Sequence, residues 1–114
     1  MREILFKGKQ AWNDEWAESE YPFGTIHCGA VVHDFIPETV GQYTGLTDKN
    51  GKKIFEGDIV NIEFPETTVK NAVIEYIGAS FYGSTYADSW ELDEYCQFEV
   101  IGNAHDNPEL LEVK

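Results

Sequence analysis

Apolar and polar residues alternate along most of this chain with a period of two, the pattern of β-strands that bury one face. The alternating stretches are Ile4 to Phe6, Ile26 to Phe35, Val60 to Phe64, Ala72 to Ile77 and Tyr95 to Ile101. Trp12 to Tyr21 is rich in acidic and aromatic residues without a clean period, which predicts a loop or short helix. Ala87 to Glu94 predicts an acidic loop.

Turn residues divide these stretches. Asp48-Lys49-Asn50-Gly51 predicts a tight turn that joins Gln42 to Leu46 with Lys52 to Phe55 as a hairpin. Gly57 then redirects the chain into the next strand, in a conformation that other residues adopt with strain. Near the end, Asn107 and Pro108 suit the start of a short helical turn.

Short strands with turns at intervals of about 8 to 12 residues are typical of small antiparallel barrels and sandwiches. The fold class predicted is mainly β, a small antiparallel SH3-like barrel with a short C-terminal helical turn. The alternation continues towards both ends without a linker, so we expect residues 1–114 to form a single domain.

Three blocks resemble one protein family. Gln42 to Val60 is similar to a TGL-DKNG-K-I-EGDIV signature, Met1 to Phe6 to an M-R-E-I-K-F opening, and Phe98 to Leu111 to E-V-I-G-N followed by N-P-E-L-L. This is the pattern of the YopX family of bacteriophage and prophage proteins. The resemblance implies a phage or prophage accessory protein and names no reaction. Residues 7–35 and 78–95 match no part of it, and Phe55 stands where the family more often has Tyr.

The charge narrows the range of partners. The chain has 21 acidic and 8 basic residues among 114, a formal net charge of -13, and no Lys or Arg from Asn71 to Val113. Because nucleic-acid affinity depends on cations that meet phosphates, we expect no direct DNA or RNA binding. No apolar run is long enough for a membrane span, so no membrane association is expected.

The start of the chain and its cysteines bear on location. Met1-Arg2-Glu3 begins without the apolar segment of a signal peptide, which predicts a cytoplasmic protein in the bacterial host. Cys28 and Cys96 form no C-x-x-C pair, so we expect reduced thiols.

Candidates for catalysis and metal binding are few. His27 and His33, with Cys28 and Asp34 nearby, would lie roughly 20 Å apart if they shared one extended strand, too far for one ion. Glu56 and Asp58 flank Gly57 and could form an acid and base pair, but turn chemistry explains them equally. His105 precedes an Asn-Pro cap. We therefore expect no cofactor, no metal and no enzyme activity, and an uncharacterised enzyme is kept as an alternative.

Aromatic residues interleaved with carboxylates point to protein contacts, since aromatic side chains are enriched at interfaces. The predicted partner-binding residues are Tyr86, Asp88, Trp90, Glu91, Asp93, Glu94 and Tyr95, with Trp90 as anchor and the carboxylates as rim. The expected partner is a host or phage protein, or a second copy of this chain. The alternative is an acidic nucleic-acid mimic that inhibits a host DNA-binding protein.

Overall fold

The computed structural model describes residues 5–11, 13–19, 24–27, 30–85, 87–92 and 96–111. Within them the protein is mainly β, with antiparallel pairing and no α-helix. The strands are β1 (Phe6–Lys9), β2 (Trp16–Ser19), β3 (Gly24–His27), β4 (Ala30–Asp34), β5 (Gly41–Thr47), β6 (Lys53–Phe55), β7 (Asp58–Glu63), β8 (Thr68–Ile77), β9 (Ser80–Ser84), β10 (Ser89–Glu91) and β11 (Gln97–Asn103). Two 3-10 helices occupy Pro37–Thr39 and Pro108–Leu111.

The chain divides into two compact units, Met1–Tyr43 and Thr44–Lys114. The single domain over residues 1–114 stays a prediction.

In the first unit, β1 pairs with β2 on one side and with the start of β5 on the other, where Phe6 lies opposite Gln42. The loop or short helix predicted for Trp12 to Tyr21 is wrong, because Trp16–Ser19 forms the second strand of a hairpin. The amines of Lys7 and Lys9 lie 5.2 and 5.7 Å from the centre of the Trp16 ring. This cation-aromatic contact stabilises the pairing in a way that no alternation pattern records.

The strand predicted over Ile26 to Phe35 is divided in two. Gly24–His27 and Ala30–Asp34 are the antiparallel arms of a hairpin, with a register shift at Thr25 and Ile26. Alternation of apolar residues continues through the reversal, so the pattern alone does not reveal the turn.

The second unit is built on a five-stranded antiparallel sheet of order β10-β9-β8-β7-β11. The predicted closed barrel is wrong, because this sheet is open and ends in two different strands, β10 and β11. β9 and β10 fall where the sequence predicts no strand, and β11 continues through Gly102, where a stop is predicted.

One face of this sheet carries the core. Ile54 from β6 packs against this face, and the buried residues of the core are Ile54, Val60, Ile62, Ala72, Ile74, Phe81 and Phe98. The alternation in β7 and β8 predicts four of these positions, Val60, Ile62, Ala72 and Ile74. It is interrupted at Asn71, whose φ of 57° accompanies a shift in register between the two strands, and Asn71 donates its N–H to Asn61 Oδ1.

Asp48 joins the tip of the β5–β6 hairpin to β11. Its side chain is almost fully buried, with 6% exposed. Oδ1 accepts the N–H groups of Asn50 and Lys52, each at 2.9 Å. Oδ2 accepts the N–H of Val100 at 3.0 Å, and Lys49 N–H donates to the carbonyl of Phe98 at 2.8 Å.

These contacts set the charge state of Asp48. Burial by itself raises the pKa of its carboxyl group. Hydrogen bonds from the three amides, together with the charge of Lys52, outweigh burial, so the pKa lies below its usual value of 3.8. The carboxylate is therefore a fixed acceptor on which two separate segments converge.

Gly57 and Asp58 form a second junction. Gly57 has a φ of 91°, donates its N–H to the Ile74 carbonyl and accepts the N–H of Ala104, both at 2.8 Å. Asp58, 1% exposed, accepts the N–H of Phe55 at 2.8 Å through Oδ2. The predicted role of Gly57 in redirecting the chain is confirmed, and Asp58 closes the same turn.

After β11 the chain turns back on itself. Asn107 Oδ1 accepts the N–H of Asn103 at 3.2 Å, and Leu110 donates its N–H to the Asn107 carbonyl at 3.1 Å within the last 3-10 turn. Within the described ranges, no helix is long and apolar enough to span a bilayer.

We expect Asp48→Asn to lower the free energy of unfolding at neutral pH by roughly 1 to 3 kcal/mol, because an amide group cannot replace both acceptor oxygens. Urea denaturation measures the difference. Glu66→Gln, at an exposed position in the bend after β7, is the control and should stay within about 0.5 kcal/mol of the parent.

The same pair of proteins tests the charge state. Because the pKa of Asp48 is lowered on folding, its stabilisation is complete above 3.8 and is lost as pH falls through the lower pKa of the folded protein. The gap between the parent and Asp48→Asn should therefore narrow below that value. A gap that stays constant down to the acid limit would contradict the assignment.

Gly57→Ala should cost about 1 to 2 kcal/mol of stability, since an L-residue at this φ is strained although no atom lies within 4 Å of an added Cβ. Glu56→Ala, in the same turn, is the matched control. Equal losses for the two variants in urea denaturation would show that backbone strain is not the cause.

Candidate functional site

Trp90 lies on the core face of β10, at the edge of the sheet. Its partner across β9 is Gly83, where an added Cβ would come within 2.7 Å of Ile62 Cδ1. The indole is half-buried and packs against the core, with its centroid 6.4 Å from the Phe64 ring at an angle of 52°. Because it packs on the core and against Phe64, the indole stabilises this sheet edge, and its exposed part remains accessible.

Asp88 fixes the turn into β10. Its carbonyl accepts the N–H of Thr85 at 2.8 Å, and its Oδ1 accepts the N–H of Ser89 at 2.8 Å. Thr85 Oγ1 in turn accepts the N–H groups of Ala87 and Asp88. Asp88 is exposed, so its carboxylate contributes negative charge at the surface while it also holds the local backbone.

Glu91 belongs to a row of side chains on the opposite face of the sheet. It lies across from Tyr82 in β9, and Tyr82 lies across from Glu75 in β8. Directly opposed residues project from the same face, so Glu75, Tyr82 and Glu91 form what we call the acidic row. Its two carboxylates are exposed and lie on strands separated by roughly 10 Å, with the tyrosine between them.

The structure thus places Asp88, Trp90 and Glu91 on or beside one edge strand. The other predicted partner-binding residues, Tyr86, Asp93, Glu94 and Tyr95, lie outside the described residues. The predicted surface as a whole stays a prediction.

An open depression of about 250 Å³ lies at the end of β7 and the start of β11, lined by Glu63, Phe64, Pro65 and Gln97. Phe64 connects it to Trp90. At the same end of the sheet, Lys49 Nζ lies 3.2 Å from Glu63 Oε2. The acidic group at this depression therefore already has a cationic neighbour within the chain.

The candidate acid and base pair is built into a turn. Asp58 is buried and holds the Phe55 amide, while Glu56 occupies the preceding turn position and is half-buried. His105 is also part of a turn, since Asn103 Oδ1 accepts its backbone N–H at 3.1 Å. Local hydrogen bonding gives Asp58 a structural role.

The two histidines do not share one extended strand, so the separation of roughly 20 Å predicted on that basis is wrong. His27 and His33 lie on different arms of a hairpin, opposite Ala30 and Thr25, so a single extended strand does not separate them. Cys28 lies outside the described residues. Among the residues that are described, no three His, Cys, Asp or Glu side chains form a group suited to a metal ion.

Sequence reasoning missed Glu75, Tyr82 and Phe64 as neighbours of the predicted surface. The first two could have been found from the turn between β8 and β9, because a two-residue loop at Gly78 and Ala79 places residues 75 and 82 opposite each other. Gly78 has the positive φ, 64°, that such loops use. Phe64 carries no comparable signal, since its contact with Trp90 joins non-adjacent strands.

Fold and site together define a small antiparallel β protein whose edge strand combines a half-buried indole with exposed carboxylates. A family model described as YopX protein matches residues 4–112, and the chain belongs to the YopX family. No curated protein sequence matches it. Within the family-like block, Asp48, Gly57 and Asp58 hold the fold together, so this part of the signature is explained by architecture.

Trp90→Ala should reduce stability by roughly 1 to 3 kcal/mol, below the cost of truncating a fully buried tryptophan, because the indole is only half-buried. Glu91→Ala should change it by less than about 0.5 kcal/mol. Thermal or urea denaturation gives both values. Equal stability of the parent and Trp90→Ala would show that the indole does not contribute to the sheet edge.

Proposed function

We propose that this YopX-family protein is a non-enzymatic module that binds a protein partner through the β10 surface, defined as Asp88, Trp90, Glu91 and the adjoining acidic row. It acts as a phage or prophage accessory protein in the cytoplasm of the bacterial host. The observation that supports this proposal is that Trp90 lies on one face of an edge strand and the acidic row lies on the other.

The chemistry of this surface supports the proposal. A partly accessible indole offers a large apolar contact at low entropic cost, which is why tryptophan is frequent among residues that dominate binding energy. The carboxylates of the acidic row, on the other face of the same strand, favour partners that carry Lys or Arg and increase the rate of encounter with them. A predicted likeness to SH3-type domains adds nothing here, because fold class does not specify function.

The alternative is an acidic mimic of nucleic acid. It is favoured by the absence of Lys and Arg from Asn71 to Val113, which leaves this stretch uniformly negative. A mimic would occupy the cationic groove of a host DNA-binding protein, and it would use charge rather than the indole. The two functions therefore differ in their dependence on salt, on DNA and on Trp90.

We expect affinity capture from host lysate to retain a partner whose binding is weakened by Trp90→Phe and by Glu91→Lys. Trp90→Phe is chosen because it keeps an aromatic ring beside Phe64 and so limits the loss of stability. Glu109→Lys is the matched control, because it makes the same change in charge at an exposed position in the C-terminal 3-10 helix. It should leave capture intact.

Capture at roughly 0.05 M and 0.3 M salt, with and without competing duplex DNA, separates the two candidates. Release by salt and DNA with no effect of Trp90→Phe would favour the mimic. A partner that is insensitive to both β10 variants would contradict the proposed surface. Light scattering of the purified protein reports self-association in the same series.

A further inference from the structure

The two edge strands of the five-stranded sheet differ in whether their outward main-chain groups already have hydrogen-bond partners. On β11, the outward carbonyl of Phe98 and the outward N–H of Val100 are taken by Lys49 and Asp48. Hairpin residues thus take the place of a neighbouring strand along this part of the edge. In the part of the chain that the structure describes, β10 has a neighbouring strand on one side only.

The hydrogen bonds between β9 and β10 show which main-chain groups of β10 point away from β9. Thr85 N–H bonds to the Asp88 carbonyl, and Leu92 N–H bonds to the Phe81 carbonyl. Antiparallel pairs alternate between bonded and non-bonded, so Trp90 and Gly83 form the bonded pair between these two. Ser89 and Glu91 therefore direct their main-chain groups away from β9.

One of these outward groups is already used, because Ser89 N–H donates to the Asp88 side chain. The N–H and carbonyl of Glu91 and the carbonyl of Ser89 remain directed along the sheet. This is the main-chain pattern that receives an added antiparallel strand, with Glu91 in the position that exchanges two hydrogen bonds with its partner residue.

We propose that the outer edge of β10 adds one extended segment of a partner protein that carries Lys or Arg, an inference that rests on the proposed protein-binding function. The residue opposite Glu91 projects beside the acidic row and is cationic. The next residue projects beside Trp90 and is apolar. The recognised segment thus alternates basic and apolar residues.

Charge selects this occupant over a second copy of the chain. Self-pairing along β10 would bring together two chains of net charge -13, with Asp88 and Glu91 of each beside those of the other. Like charges at paired strands are destabilising, and unlike charges stabilise the pair. Short, charged edge strands are also the usual protection against self-pairing.

The test uses the full-length protein and three labelled peptides whose binding is followed by fluorescence anisotropy. The first is Lys-Val-Lys-Val-Lys, and the other two carry N-methyl groups at either the lysines or the valines. If lysine is opposite Glu91, the lysine N–H groups face β10 and the valine N–H groups face solvent. We expect lysine methylation to weaken binding about tenfold and valine methylation to leave it nearly unchanged.

Two substitutions at one position give the matched pair in the protein. Glu91→Gln removes the charge and keeps the N–H, whereas Glu91→Pro removes both, and proline is tolerated where an edge N–H faces outward. Binding should weaken with Glu91→Gln and weaken further with Glu91→Pro. Urea denaturation confirms that both variants fold, and the peptide Glu-Val-Glu-Val-Glu should not bind the parent.

The outcomes separate this inference from the proposed function. Equal binding of the two methylated peptides, with Glu91→Pro no weaker than Glu91→Gln, would overturn strand addition while leaving a protein-binding surface in place. Failure of every basic peptide, together with failure of lysate capture, would overturn both. A dimer in light scattering that Glu91→Pro dissociates would assign the edge to a second copy and overturn the choice of occupant.

Discussion

A carboxylate with almost no contact with solvent holds the C-terminal unit together. Asp48 receives two amides of its own hairpin and one from β11, residues separated by about half the length of the chain. Burial of an ion is costly, and the hydrogen bonds that offset this cost exist only when the hairpin tip and β11 are both in place. The contact between the hairpin tip and the outer edge of β11 therefore depends on this carboxylate.

The sequence predicts elements that depend on local interactions better than elements that depend on contacts between distant parts of the chain. The hairpin of β5 and β6 and the turn at Gly57 were predicted correctly, because Gly51 and Gly57 have positive φ and mark local conformations that a sequence displays. The secondary-structure predictions are wrong where a strand forms only because it pairs with another strand. β2 depends on β1, and β10 depends on a glycine in β9 and a phenylalanine after β7, so neither shows the alternation of an independent strand.

The candidate site depends both on local sequence and on the pairing between strands. Trp90 and Glu91 were predicted from composition, as an aromatic residue among carboxylates, and the structure adds that they project from opposite faces of one strand. Composition could not supply the acidic row, since Glu75 and Glu91 become neighbours of Tyr82 only through the register of three strands. The signature block illustrates the reverse case: Glu56 and Asp58 suggested an acid and base pair, but the buried carboxylate of Asp58 accepts the N–H of Phe55 and so serves the backbone.

The difference between the two sheet edges has a consequence for assembly. A sheet that could grow in both directions would admit indefinite polymerisation, because each added strand would present a fresh edge to the next. Here Asp48 and Lys49 occupy the outward groups of Val100 and Phe98 on β11, so an added strand cannot pair with that part of the edge. Within the described residues, extension of the five-stranded sheet is therefore directed to β10.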